Sequence, residues 1–442
     1  MRRPPFLGFL ALVATLPGVV TAVSGVHPAP PVAALLFGVA IVGAAFVLAW
    51  AAEAAQVDVS AGLAVAVLAL IAVLPEYAVD FVFTWHGGEA AAQHGAVCRA
   101  PDEQTSACSL ALANMTGANR ILVGVGWALV VIIAWRRSRR SGIRLERSDA
   151  VPLAFLTLAS LYCLVLPFKR TLTMVDTGIL LAIFVAYSWR VSRAPAGEPD
   201  LIGPSAWVGN LPRRPRRITV IGMFVVAAGV ILLTAERFAE SLVETGAQLG
   251  ISEFLLVQWL APLASEAPEL LVAGLYAWRL HTTEALGALV SSKVNQWTLL
   301  VGTLPVVFAA SSRSTSGLPI EPEQREELLL TAAQSLLAIA LLLGLTLSLR
   351  AALLLLGLFF TQFALGAVVP EQFQGRERLA LSVLYLVLAV VVVIRKRKAV
   401  FPLLRDGLLA PYAQLGEGAR CTTTAGRLHV RERLNAKLHA RR

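Results

Sequence analysis

The sequence predicts an all-α polytopic membrane protein with about twelve transmembrane helices, arranged as two inverted five-helix repeats plus extra helices at each end. Three observations predict this fold: the apolar composition, the way charge alternates between successive apolar segments, and an internal repeat. Hydrophobic residues make up 57% of the 442 residues and charged residues only 15%, whereas soluble domains carry about 25% charged residues. No stretch between the apolar segments is long enough for a soluble catalytic domain.

The apolar segments are long enough to cross a bilayer, which takes about 20 mostly apolar residues per helix. The predicted helices of the first half cover residues 6–24, 31–50, 61–85, 107–135, 151–167 and 174–189. Those of the second half cover residues 218–237, 252–278, 284–310, 328–348, 351–369 and 379–394. The first segment, which follows Met1-Arg2-Arg3, also fits a signal peptide. We favour a helix because its basic residues fit the orientation below.

Loop charges support this count of helices. With the N-terminus in the cytoplasm, the inside segments hold the basic residues Arg2, Arg3, Arg136, Arg137, Arg139, Arg140, Arg144, Arg147, Arg213, Arg214, Arg216, Arg217, Arg279, Arg350, Arg395, Lys396, Arg397 and Lys398. The outside loops hold the acidic residues Glu89, Asp102, Glu103, Glu240, Glu244, Glu321, Glu323, Glu326 and Glu327. Glu53 and Asp58 inside, and Lys169 and Arg170 outside, oppose the trend.

Basic loops on one side predict a multi-pass protein of the plasma (inner) membrane with both termini in the cytoplasm. The formal charge of +10 therefore reflects orientation in a lipid bilayer, and we expect no nucleic acid as a partner.

Two segments, residues 54–85 and 246–278, resemble each other. Both begin with Ala-Gln, reach Pro-Glu deep in the helix, and place a Trp nine residues after the Glu: Trp85 after Glu76 and Trp278 after Glu269. They belong to the third and eighth helices, which are five apart and therefore cross the membrane in opposite directions. Inverted repeats with a binding site at their interface are typical of secondary transporters.

The repeat divides the chain into six regions. They are an N-terminal extra helix (1–30), the first repeat (31–190), a basic cytoplasmic linker (191–217), the second repeat (218–369), an extra C-terminal helix (370–398) and a basic cytoplasmic tail (399–442).

Glu76 and Glu269 lie near the middle of their helices, where an ionised side chain costs at least about 2.5–3.5 kcal/mol. Such a residue normally faces protein or water on a transport pathway, although a structural ion pair or a protonated carboxyl is the alternative. Pro75 and Pro268 precede them, and each proline frees a backbone carbonyl one turn back.

Further oxygen-bearing side chains surround the two glutamates in the sequence. Asp80 follows Glu76 by four residues and Glu266 precedes Glu269 by three, so each pair shares a helix face. Asn114 and Asn119 come from the neighbouring helix, where hydrogen bonding between helices is the alternative role. Such a cluster of oxygens suits hard cations.

Lys293 occupies the position in the second repeat that Asn119 occupies in the first. A lysine amine at membrane depth must pair with a carboxylate, lose its proton, or both; Glu269 and Glu266 are the expected partners. One hypothesis is that Lys293 replaces a bound monovalent cation in one half of the site. A static salt bridge that fixes the helices is the alternative.

Cys98 and Cys108 fall in or beside the long outside loop. In an oxidising compartment they form either a disulfide or two free thiols, because spacing alone does not define the geometry. Cys163 lies within a helix and fits a small buried hydrophobic residue.

The motifs Leu74-Pro75-Glu76, 264–269 (Ala-Ser-Glu-Ala-Pro-Glu) and 114–119 (Asn-Met-Thr-Gly-Ala-Asn) resemble the paired alpha repeats of the calcium:cation antiporters, the sodium/calcium exchanger superfamily. This resemblance implies a core of two inverted five-helix halves with Glu76 and Glu269 as the central carboxylates. It also implies that Asn114, Asn119 and Ser265 are flanking ligands.

The chain departs from the family pattern at several of these positions. Glu266 replaces a serine, Ala288 an asparagine and Lys293 another asparagine, so several sodium ligands of a sodium/calcium exchanger are missing. Fixed positive charge with extra carboxylates favours proton coupling, since both groups can titrate when they are desolvated.

We therefore expect a secondary active antiporter that moves calcium or sodium in exchange for protons (or sodium) by alternating access. The alternatives are an exchanger for another ion and a cation channel. An enzyme is not expected, because the predicted helices contain no histidine pair for a metal and no Ser/His arrangement. Small inorganic cations and the lipid bilayer are the expected partners. No cofactor and no nucleotide are expected, and the choice between monomer and homodimer stays open.

Overall fold

The computed structural model describes residues 4–58, 74–99, 106–194, 201, 203–250, 253–412 and 414–415. The first part of the predicted third helix, residues 61–73, and Cys421 lie outside this range.

The first half of the chain contains six long helices. They are α1 (Pro4–Ser24), α2 (Pro30–Ala55), α3 (Leu74–His94), α4 (Ala107–Ser138), α5 (Ala150–Cys163) and α6 (Met174–Val191). The second half contains a short helix α7 (Pro204–Gly209), six long helices and a terminal one. They are α8 (Arg213–Leu249), α9 (Glu253–Trp278), α10 (Thr282–Ser312), α11 (Pro322–Leu342), α12 (Leu349–Val368), α13 (Glu371–Arg395) and α14 (Arg397–Leu408).

Apart from α7 and α14, the described helices correspond one for one to the predicted spans, and the predicted all-α membrane fold is confirmed. Nine of the described helices have an apolar stretch long enough to cross a bilayer. The remaining three long helices are α3, α9 and α11. All three carry glutamates described below, and the first part of the span predicted for α3 lies outside the described residues.

Two short antiparallel strand pairs relate the two halves. Strand β1 (Gly142–Arg144) pairs with β4 (Thr346–Ser348), and β2 (Thr171–Leu172) pairs with β3 (Leu318–Pro319). Strands β1 and β3 follow α4 and α10, whereas β2 and β4 precede α6 and α12. Each strand pair therefore joins the connection before the fourth helix of one repeat to the connection after the fourth helix of the other, because corresponding connections of inverted repeats lie on opposite sides of the membrane.

Helix packing brings helices of the two halves into contact. Helix α2 packs along α8, α3 packs on the end of α10, and α9 packs on α4. At the close approach of α4 and α9, a Cβ atom on Gly117 would overlap the backbone carbonyl of Gln258. A small residue is required there.

One residue of each exception to the charge pattern forms an ion pair in the structure. Asp58 accepts hydrogen bonds from Nε and Nη2 of Arg216 at 2.7 and 2.9 Å, and Arg217 lies 3.3 Å away. At the opposite end, Nζ of Lys169 lies 2.5 Å from Asp176. These pairs explain why residues of the disfavoured sign are tolerated there.

Cys98 and Cys108 are joined by a disulfide in the structure, with an S–S distance of 2.13 Å. It joins the segment after α3 to the start of α4. Cys163 is a buried free thiol.

The beginning of the basic tail differs from a solvated end. Residues 397–408 form α14, which packs on α5; a Cβ atom on Gly407 would overlap the carbonyl of Ala150. Arg190 donates to the carbonyl of Gly407 at 3.3 Å, and Arg147 contacts Asp406 at 2.7 Å. This part of the tail is therefore docked on the first repeat.

Candidate cation-binding site

The site is formed where α3 of the first repeat meets α9 of the second. Pro75 and Pro268 are both buried, and each directly precedes a glutamate. The predicted pairing of Pro-Glu segments from the two repeats thus places Glu76 and Glu269 on facing helices.

Three carboxylates meet at this crossing. One carboxylate oxygen from each of Glu76, Glu266 and Glu269 lies within 4.8 Å of the other two. Glu76 is 2% exposed and Glu266 is fully buried, and Glu269 is half-buried. Each keeps one oxygen, Oε2, that has no hydrogen-bond partner among the described residues.

Such an arrangement fits a bound cation or bound protons. Like charges at this separation repel each other, and burial removes the water that would screen them. Carboxylate oxygens are also the ligands that calcium prefers. The cluster is therefore stabilised when a positive ion or a proton lies between its members.

Asp80 and Asn114 form a hydrogen-bonded pair beside the carboxylates. The amide nitrogen of Asn114 donates to Oδ1 of Asp80 at 2.6 Å, so the asparagine connects α4 to α3. The remaining oxygens, Oδ2 of Asp80 and Oδ1 of Asn114, have no partner in the described structure. Both are free to coordinate an ion.

Ser265 and Asn119 are buried as expected, but their polar groups bond to their own helices. The hydroxyl of Ser265 donates to the carbonyl of Pro262 at 3.3 Å. The amide nitrogen of Asn119 donates to the carbonyl of Met115 at 2.9 Å, and its Oδ1 is unpartnered among the described groups.

Lys293 does not have the partners that we expected. Its amine is fully buried and donates to the backbone carbonyl of Asn119 at 2.7 Å. No carboxylate of the described residues lies within 4.0 Å of it, so the expected ion pair with Glu266 or Glu269 is not formed. Instead Gln296, one turn further along α10, donates to Glu266.

Both repeats have a π-helical turn at the same position. Residues Leu122–Trp127 of α4 and Gln296–Leu300 of α10 are π-helical, and each turn begins three residues after Asn119 or Lys293. π-Turns are rare and occur frequently at functional sites. The matching positions make them part of the repeated architecture.

Sequence reasoning missed an ion-pair network beside the site. Glu327, which we expected in an outside loop, is 3% exposed. One of its oxygens lies 2.5 Å from Nη2 of Arg120 and the other lies 3.0 Å from Nε of Arg378. The signal was Arg120 itself, because an arginine within a spanning helix requires a counter-charge.

A cavity of about 1340 Å³ opens on the side of the acidic loops. Its walls include Glu240, Glu244 and Glu323, and it extends inward to Gln258 and Arg120. The three clustered carboxylates do not line the described cavity. An ion that enters it is still separated from the cluster.

Residues 30–192 and 219–396 match the family model described as sodium/calcium exchanger protein. The chain belongs to this family. Membership confirms the resemblance seen in the two Pro-Glu segments, and the family to which the chain belongs consists of multi-pass membrane proteins that transport small cations by antiport.

Solved structures agree with this assignment. The crystal structure of the H+/Ca2+ exchanger CAX has a TM-score of 0.83 and 37% sequence identity, and the match covers 93% of this chain and 98% of that one. Native YfkE has a TM-score of 0.58 and 16% identity over 79% of this chain and 97% of that one. The selenium-substituted Ca2+/H+ antiporter protein YfkE has a TM-score of 0.54 and 15% identity over 87% of this chain and 99% of that one. The two YfkE structures show a shared fold. No curated protein sequence has a significant match to the chain.

Proposed function

We propose that the protein exchanges calcium for protons across the plasma membrane, and that Glu76, Glu266 and Glu269 bind the two kinds of ion in turn. The observation that carries this proposal is the approach of three carboxylates, two buried and one half-buried, from oppositely threaded repeats to within 4.8 Å. Asp80, Asn114, Asn119 and Ser265 are the flanking ligands in this proposal.

The charge of the cluster favours a divalent ion and protons. Three carboxylates have more negative charge than one sodium ion neutralises, whereas one calcium ion with a proton, or protons alone, comes closer to balance. Hard oxygen ligands also suit calcium. The structure that is 37% identical to this chain is that of an H+/Ca2+ exchanger, which supports proton coupling here.

The proposed cycle needs no covalent chemistry. Calcium binds when the carboxylates are ionised, and protons replace it on the opposite side of the membrane. Access alternates as the two repeats move relative to each other around the site. The outward side is the one with the acidic cavity, since the arginine-rich connections lie at the other end and basic loops stay in the cytoplasm.

Transport by purified protein in liposomes tests this proposal. Calcium uptake should be driven by an outward proton gradient, and a pH dye inside the liposomes should report proton efflux that accompanies it. Glu76→Gln and Glu269→Gln should reduce both fluxes to the level of empty liposomes, because each removes a charge from the cluster.

Glu89→Gln and Glu284→Gln are matched controls, since both glutamates are exposed, on α3 and α10 respectively. These variants should transport at the wild-type rate. Normal transport by Glu76→Gln or Glu269→Gln would contradict the site assignment. A pH change driven by sodium but not by calcium would make sodium the substrate.

A further inference from the structure

We propose that the amine of Lys293 permanently occupies the position of a monovalent cation, so that the exchanger works without sodium. This inference rests on the proposed calcium/proton exchange and specifies which co-ion the site excludes. Its basis is the contact that Lys293 makes, which is with a backbone carbonyl of the other repeat and not with a carboxylate.

The position of Lys293 is defined by the repeat. It corresponds to Asn119, and each of the two residues is followed by a π-helical turn. The side chain of Lys293 crosses the interface between the repeats and reaches the backbone of its own counterpart, with a distance of 2.7 Å from Nζ to the carbonyl oxygen of Asn119. The amine therefore lies between equivalent points of the two halves.

A backbone carbonyl beside an irregular turn is a typical ligand of sodium in transporters with broken helices. A lysine ammonium satisfies the same oxygen with the same charge, but it is covalently attached and cannot be transported. The amide oxygen Oδ1 of Asn119, which lacks a partner in the described structure, belongs to the same residue. Asn119 thus offers the oxygens that a sodium ion would need.

Aromatic and charged groups from several helices face the amine. Nζ lies 5.2 Å from the centre of the Trp297 ring, within the range at which a cation is attracted to an aromatic face. The groups that act on it electrostatically are Glu266 from α9, Arg120 from α4 and Cys163 from α5. Glu266 attracts a positive charge at this position, whereas Arg120 repels it.

A static ion pair, the alternative role, requires a carboxylate within about 4 Å of the amine. Within the residues that the structure describes, none is that close. The carboxylates of the cluster therefore remain available to the transported ions, while the lysine replaces a co-ion beside them.

Removing the amine should create a sodium site. In Lys293→Ala the carbonyl of Asn119 loses its donor, and the space left by three methylenes and the amine is next to the carboxylate cluster. The melting temperature of the purified full-length variant should rise with sodium and reach a plateau, because a ligand that binds only the folded state stabilises it. Choline at the same ionic strength should have no such effect.

Two control variants test whether a response to sodium depends on the position of Lys293 or only on the loss of a lysine. Lys293→Met fills the same space without offering room for an ion and should not respond to sodium. Lys396→Ala also removes an amine that donates to a backbone carbonyl, that of Leu341, but far from the cluster, and should not respond either. Lys293→Asn, which restores the residue of the first repeat, is the second variant in case Lys293→Ala does not fold.

The remaining measurements are exchange and melting of the wild-type protein. Its calcium/proton exchange should be the same in sodium and in choline, and its melting temperature should not depend on sodium. Stimulation of the wild type by sodium, or sodium insensitivity of both Lys293→Ala and Lys293→Asn, would overturn the inference. If the wild type shows no calcium/proton exchange, the proposed function is refuted instead. A failure of this inference and a failure of the proposed function are therefore distinguishable.

Discussion

Replacing Glu327 by glutamine should destabilise the protein strongly, because two buried arginines depend on this carboxylate. Nη2 of Arg120 lies 2.5 Å from one oxygen and Nε of Arg378 lies 3.0 Å from the other. Arg378 has further partners, Glu323 at 2.6 Å and Glu326 at 3.2 Å. Arg120 has no other carboxylate partner in the described part of the chain.

The expected loss of stability follows from this difference in the number of carboxylate partners. Glu327→Gln leaves Arg120, which is 1% exposed, without a counter-charge, and breaking a buried pair in this way costs about 3–5 kcal/mol. Glu323→Gln is the matched control on the same helix. The Glu323 side chain is 49% exposed, and a pair of this kind is worth about 0–1 kcal/mol.

Thermal unfolding of the detergent-purified variants, followed by tryptophan fluorescence, measures the effect. Glu327→Gln should melt far below Glu323→Gln, which should be close to the wild type. The double variant Arg120→Met/Glu327→Leu should recover most of the loss, because it removes the uncompensated charge. Equal melting temperatures for Glu327→Gln and Glu323→Gln would refute the assignment of a buried, interdependent network.

Two further predictions concern packing and pH. Gly117→Ala should abolish transport and lower the melting temperature, because the new Cβ would overlap the carbonyl of Gln258 and separate α4 from α9. Gly178→Ala is the control, since the space around its Cβ is open. It should behave as wild type in the same flux and melting assays. The hydrogen bond and charge of Arg216 lower the pKa of Asp58 below its ordinary value, so the ion pair contributes stability at neutral pH and loses it as the pH falls through that lowered pKa. Melting curves between neutral pH and about pH 3 should therefore converge for wild type and Asp58→Asn at the acid end, and a constant difference between them would contradict this.

The sequence alone predicted that Glu76 and Glu269 lie close together, as they do in the structure. Glu76 and Glu269 were recognisable because the Pro-Glu pattern occurs twice and the helix count makes the two copies antiparallel. Glu266 followed from its spacing to Glu269 on one helix face. The recurring apolar segments and the charges of the loops predicted the number and direction of the helices that carry these residues, which is why the fold prediction succeeded.

Contacts between elements distant in the sequence could not be predicted in the same way. The partner of Lys293 depends on how α10 is rotated against α4, and a change of one helical position decides between a carboxylate and a carbonyl. Glu327 meets Arg378 because α13, which lies outside the repeats, packs on α11. The spacing of Cys98 and Cys108 was compatible with a bond but did not define the distance between them.

The docked helix α14 was also missed. The basic composition after residue 396 is typical of a solvated tail, yet its small and apolar residues, among them Gly407, pack against α5. Only the position of α5 reveals that a glycine is needed at that contact.

The most direct test of the account is the position of a divalent cation in crystals of the full-length protein soaked with calcium. Anomalous scattering should give a peak among the carboxylates of Glu76, Glu266 and Glu269, and that peak should disappear when the same crystals are soaked at acid pH. A calcium peak elsewhere in the molecule, with these three side chains empty at saturating calcium and neutral pH, would contradict the claim that the two repeats share one mobile ion.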